Sequence, residues 1–161
     1  MKDGKLGMKF ATMRNQGEAI HLKVDALNIP FEPSVYNGTG TETRKGIVFD
    51  ITNSDAKSIL VLEERLRQEM EIPLEKWNSC LRENGQTWRL KAKINMSGDR
   101  ACLFADCDGK DLRGYAAVAV LSMNSVYSQR QASGLVLDVV ALRRGAKMLP
   151  DPPVWMKSLG F

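Results

Sequence analysis

Across residues 88–95 apolar and polar residues alternate without a break. Trp88, Leu90, Ala92 and Ile94 fall on one side of an extended chain, and Arg89, Lys91, Lys93 and Asn95 on the other. Successive strand side chains point to opposite faces, so this segment reads as a β-strand with one buried face and one basic, wetted face. Residues 87–144 continue in the same manner and read as one twisted antiparallel sheet. Within them, Asp108-Gly109 in the acidic run 106–111 predicts a tight hairpin turn, because Gly accepts the positive φ that such turns require. Residues 115–123 and 134–142 are two further apolar, strand-like runs, and the polar residues 124–133 between them are expected outside the core.

The remaining segments add strands, a helix and loops. Residues 7–14 and 18–26 flank Asn15-Gln16-Gly17 as the arms of a hairpin, with His21, Lys23 and Asp25 on its wet face. Residues 28–43 hold Pro30, Pro33 and the run Asn37-Gly38-Thr39-Gly40-Thr41, which predicts a loop beside a binding groove. Gly40 is followed by Thr41-Glu42 and not by Lys and Ser or Thr, so this is no phosphate-cradling P-loop. Residues 44–51 read as a strand with Ile47, Phe49 and Ile51 inward. Ile59, Leu62, Leu66 and Met70 recur at three- and four-residue spacing, predicting an amphipathic helix over 55–70 capped by Asn53 or Ser54. Glu63 and Arg67 are spaced for an i,i+4 pair on its outer face. Pro73 ends that helix, and a second short one is expected over 74–82.

Composition narrows the function classes. A chain of 161 residues with 43% hydrophobic and 26% charged residues suits one globular domain. No apolar run approaches the roughly 20 residues needed to span a bilayer, and no apolar signal region follows Met1-Lys2-Asp3-Gly4-Lys5. The net charge of +4 is modest, but the charges are segregated: Asp138 is the only acid among residues 130–149, against Arg130, Arg143, Arg144 and Lys147. Cys80, Cys102 and Cys107 show no framework spacing, and with a single histidine, His21, they are expected to be buried or inert thiols and not zinc ligands. His21 has no partner acid or nucleophile in the sequence pattern, and the acidic run lacks the residues of a calcium loop, which leaves a hairpin tip as its simplest role.

The chemistry of the basic strand points to nucleic acid. Single-stranded nucleic acid is held by cations along its phosphates and flat groups against unstacked bases. Arg89, Lys91 and Lys93 recur every 6.5 to 7 Å or so along one strand face, a repeat that matches an extended phosphate backbone. Arg44, Lys45, Arg113 and Arg130 are candidates to extend the track, and Tyr115, Tyr127 and Tyr36 to stack on bases. A solvated face or a charged, aggregation-resistant edge explains the same cations without a ligand. Trp88 falls on the apolar side and is expected in the core.

The Asp108-Gly109-Lys110 turn, the extended Tyr115-Ala116-Ala117-Val118, the polar loop and the closing run at 133–142 together resemble the single-stranded DNA-binding proteins of tailed bacteriophages. This resemblance implies a mainly β fold, an OB-like antiparallel β-barrel with one or two inserted α-helices, occupying residues 1–147. It implies sequence-independent binding of single-stranded DNA in phage replication or recombination, without catalysis, cofactor or metal, in the host cytoplasm. Pairing into a homodimer or other homo-oligomer and contacts with replication or recombination proteins follow from the same resemblance. In place of the acidic tail usual in that family, residues 148–161 form a proline-rich arm bearing Trp155, Leu159 and Phe161, expected to dock on its own domain or on a neighbouring subunit. The alternative is a non-enzymatic adaptor or structural protein that assembles through this arm.

Overall fold

Apolar strand runs need partners on both edges, and this chain supplies them by closing on itself. The computed structural model describes residues 2–3, 9–12, 14–15, 18–19, 21–34, 44–128 and 131–147. The strands are β1 (Lys2–Asp3), β2 (Lys9–Thr12), β3 (Arg14–Asn15), β4 (Glu18–Ala19), β5 (His21–Asn28), β6 (Arg44–Ile51), β7 (Leu81–Asn84), β8 (Thr87–Asn95), β9 (Leu103–Ala105), β10 (Tyr115–Ser128) and β11 (Ser133–Lys147). One helix, α1 (Asn53–Glu69), stands between β6 and β7. β5 pairs with β6, β6 with β8, β8 with β11, β11 with β10, and β10 returns to β5. This closed ring is the OB-like barrel expected, mainly β with one inserted helix. Its inward residues, among them Ile47, Phe49, Leu90, Ile94, Leu121 and Leu137, are at most 2% exposed. Among the described residues no helix is long and apolar enough to cross a membrane.

Three expectations about the sheet are corrected. First, residues 87–144 do not make one antiparallel sheet: β5 and β6 complete the ring, and β8 meets β11 in parallel through Asp138↔Lys93 and Val139↔Ile94. Second, Asp108-Gly109 is not a hairpin tip. β9 runs parallel to β11 on the edge opposite β10, and a two-residue turn cannot cross an intervening strand. Residues 106–114 instead form an irregular link, with Asp106, Gly109, Asp111 and Gly114 all at positive φ. Third, the polar residues 124–133 are not one loop, since the β10–β11 ladder continues to Ser128↔Ser133 and Val126 is fully buried. Register shifts along that ladder, as between Val120 and Leu121, let these long strands coil around the barrel.

The amino-terminal hairpin is shorter than its sequence suggests. Arg14↔Ala19 and Asn15↔Glu18 pair around the expected turn, but β2 and β5 on either side both run antiparallel to β10, along the same edge. The hairpin is an excursion from one interrupted strand.

Helix α1 also departs in detail. Thr52 is its N-cap, accepting a hydrogen bond from Asp55 N–H at 3.2 Å, one residue before the pair expected to cap it. Asn53 instead accepts from Trp88 Nε1–H at 3.0 Å, and Asp55 accepts from Asp25 N–H at 3.1 Å, which ties the helix start to β8 and β5. Arg67 pairs with Glu64, not Glu63, because Glu63 lies on the buried stripe with Ile59 and Leu66. Residues 74–82 are not a helix. Only the short 3-10 turn Leu74–Lys76 forms, and the chain then enters β7, which joins β8 through a tight turn with Gly85 at φ 65°. Thr52→Ala should cost about 1 kcal/mol in urea unfolding. Ser54→Ala should stay within about 0.5 kcal/mol.

Candidate nucleic-acid interface

The outward faces of β6 and β8 form one surface. The register sets Gly46 against Lys93, Val48 against Lys91 and Asp50 against Arg89, so the two lysines of β8 stand beside small or apolar neighbours on β6 and Arg89 beside an acid. A groove of about 560 Å³ runs across this surface, lined by Arg44, Lys91, Lys93, Val48, Val136, Tyr127 and Phe31 among others. Phe31 is 51% exposed, and the Arg89 guanidinium sits 5.3 Å from its ring centroid. The segment carrying it leaves β5, and Ser34 then returns to β6 by paired hydrogen bonds with Gly46 at 3.0 and 2.8 Å. Two carboxylates hold two of the cations: Arg44 lies 2.8 Å from Asp138 and Arg89 lies 3.3 Å from Asp50. Such partly exposed pairs contribute at most about 1 kcal/mol, so a phosphate can compete for either guanidinium. Lys91 and Lys93 are exposed and form no ion pair among the described residues.

The opposite wall is the segment Asn78-Ser79-Cys80. Asn78 N–H donates to Ser133 O at 2.7 Å, its side-chain amide donates to Tyr127 Oη at 3.4 Å, and Cys80 O accepts from Lys91 N–H at 2.9 Å. Gly134 fits closely under this wall: a Cβ there would stand 2.6 Å from Asn78 O and 2.9 Å from Tyr127. Behind it, Glu63 accepts from Ser79 Oγ–H at 2.5 Å and from Cys80 N–H at 3.1 Å, and is 2% exposed. Burial raises the Glu63 carboxyl above its ordinary value, opposed in part by the hydrogen bonds from Ser79 and Cys80. Burial likewise pushes the Cys102 thiol up to about 12 and the Cys80 thiol up further, as expected of inert thiols.

The expected residues divide by position. Arg44, Lys91, Lys93 and Tyr127 line the groove, and Arg89 stands over Phe31 at its edge. Lys45 is opposite Ile94, on the side of β6 that carries Ile47 and Phe49, and does not face the groove. Arg113 is next to the groove, its backbone N–H donating to Glu32 Oε1 at 2.8 Å. Tyr115 is apart from the groove, under Arg144 at 4.3 Å and Lys147 at 5.7 Å. Arg130, Tyr36 and the arm 148–161 lie outside the described residues. His21 is exposed, and Trp88 is half-buried against the core.

Solved structures share this architecture. One is gp2.5, a single-stranded DNA-binding protein encoded by bacteriophage T7, with 13% identity, 86% of this chain and 94% of that chain covered, and a TM-score of 0.56. Another is the single-stranded DNA-binding protein from bacteriophage Enc34. Its C-terminal truncation aligns at 11% identity over 90% of this chain and 97% of that one, with a TM-score of 0.56. Its complex with single-stranded DNA aligns at 10% identity over 91% and 98%, with a TM-score of 0.52. This chain has the fold of phage single-stranded DNA-binding proteins. No protein-family model matches it, and no curated protein matches it by sequence.

Sequence reasoning missed Phe31 and the wall at 78–80. Phe31 was legible as an aromatic between Pro30 and Pro33, where the chain can neither continue a ladder nor bury the ring under a helix. The wall carries no such mark. Of the acidic run, Asp108 Oδ1 accepts from Lys110 N–H at 3.0 Å, and among the described residues no three His, Cys, Asp or Glu side chains gather as a metal-holding group.

The raised Glu63 carboxyl makes stability depend on pH in a defined direction. The folded chain holds this proton more tightly than the unfolded chain. Its contribution is therefore complete below the ordinary value of 4.5 and is lost as pH rises through the raised folded value. The stability of the native chain minus that of Glu63→Gln should fall as pH rises from 4.5, with a slope no steeper than about 1.4 kcal/mol per pH unit. Thermal unfolding of both proteins from acid to neutral pH measures it.

Proposed function

We propose that this protein binds single-stranded DNA without sequence preference, coating and protecting it during phage DNA replication or recombination. The groove across β6, β8 and β11 carries the proposal, because it places Arg44, Lys91 and Lys93 beside the flat faces of Phe31 and Tyr127 on an OB-like barrel. Strands in this position, with the loops around them, are the usual oligonucleotide surface of such barrels. The phage protein of the same fold seen in complex with single-stranded DNA supports the same assignment. Lys91 and Lys93 hold successive phosphates, Arg44 and Arg89 exchange their carboxylates for phosphate, and bases stack on Phe31 and Tyr127. Arg113 and Tyr115 continue the path past Glu32, beyond the groove.

Binding of this kind is passive. It removes hairpins from exposed strands and shields them from nucleases, with no bond made or broken and no cofactor or metal. The setting is the host cytoplasm, and replication or recombination proteins are the expected partners. Residues 1–147 form the binding domain and 148–161 an arm that pairs two copies. A chain ending at Leu149 should lose the dimer in sedimentation, and an unchanged oligomer would remove that role for the arm.

Fluorescence anisotropy of a labelled mixed-sequence oligonucleotide should show tight, salt-sensitive binding of the single strand and none of the duplex. Lys91→Gln with Lys93→Gln should weaken every sequence alike and lower the slope of log affinity against log salt by about 1.4. Phe31→Ala should cost roughly 1 to 3 kcal/mol and leave that slope unchanged. A native chain that binds neither form at low salt would overturn the DNA assignment and favour an adaptor that assembles through its arm.

A further inference from the structure

The inserted helix reaches the groove through one buried side chain. Glu63 is 2% exposed, yet it does not serve the packing of α1 alone: both its oxygens are spent on the backbone and hydroxyl of the wall segment, Cys80 N–H and Ser79 Oγ–H. Ser79 Oγ accepts in turn from Leu81 N–H at 3.0 Å, so the hydroxyl is oriented from both sides. The residue before it, Asn78, holds Tyr127 Oη and Ser133 O, and the residue after it, Cys80, holds Lys91 N–H. A carboxylate, with acceptors only, suits two donors at this place. A leucine of similar size would leave both donors without a partner.

We infer that Glu63 is a positioning residue for the groove, clasping the wall at Ser79 and Cys80 so that Asn78 presents Tyr127 to a bound strand. The inference rests on the DNA-binding function proposed above. It assigns α1 a part in binding although the helix itself does not line the groove. Phe31 belongs to a different segment, held by Ser34 and Gly46, and is independent of the clasp.

The independence of the two aromatic ends supplies the test. Affinity for a single-stranded oligonucleotide is measured for the native chain and Glu63→Leu, each also carrying Tyr127→Ala or Phe31→Ala. Glu63→Leu should weaken binding about tenfold in the native and Phe31→Ala backgrounds, the size of a lost hydrogen bond to a charged group, and much less in the Tyr127→Ala background. A general loss of folded protein would weaken all three backgrounds equally, and that result would overturn the inference. Ser79→Ala, which removes one half of the clasp outside the core, should repeat the pattern if Glu63→Leu does not fold, and an equal effect in all backgrounds overturns the inference there too. Glu63→Gln, which keeps an acceptor for Cys80 N–H, should recover most of the affinity. A native chain with no affinity for the oligonucleotide would overturn the function on which the inference rests, whereas a binding chain with equal losses sinks the clasp alone.

Discussion

Burial of Leu90, Ala92 and Ile94 sets the spacing of Arg89, Lys91 and Lys93. The pleat couples the two faces of β8: an apolar residue cannot be driven into the barrel without sending its neighbours outward at a fixed repeat. The hydrophobic effect, which carries no information about nucleic acid, therefore positions the charges. A one-residue slip would bury those cations and expose the core, so the register is held by a large penalty. The same coupling on β6 turns Gly46 and Val48 outward, and these short neighbours leave the lysines accessible.

Around that floor, one aromatic group comes from irregular backbone and the other from a strand end. Phe31 follows Pro30 where β5 has ended, and Tyr127 lies near the end of β10. Each is supported by something other than the ladder: Phe31 by the Arg89 guanidinium, Tyr127 by Asn78. Asp50 and Asp138 neutralise part of the cation row in the free protein. They lower self-repulsion among cations without burying any pair deeply enough to make its release costly.

Strand periodicity made the central ladder legible, and with it the outward cations. Topology was less so. Alternation says that Leu103 to Ala105 is extended but not that it follows β11 in parallel, and Asp108-Gly109 satisfies every local rule for a hairpin that the strand order forbids. Glu63 shows a different limit. It is four residues from Ile59 and three from Leu66, so its place on the buried stripe was visible, yet its spacing to Arg67 favoured an exposed pair. Only the position of Ser79 and Cys80 decides between the two, and that is a tertiary fact. The groove wall was illegible for the same reason, since its role comes from what β11 and β8 bring to it.

The parallel contact between β8 and β11 bears on how the molecule is made. β5 and β10 are neighbours in the ring although most of the chain lies between them, and β8 meets β11 only after the long crossover through β9 and β10. Contacts between distant segments form slowly, because loop closure precedes their reward. During synthesis the sheet of β5, β6 and β8 keeps its two outer edges open until β10 and β11 follow. The groove takes Lys91 from β8 and Val136 from β11, so no unfinished chain can offer it. The groove is thus completed only when β11 closes the barrel.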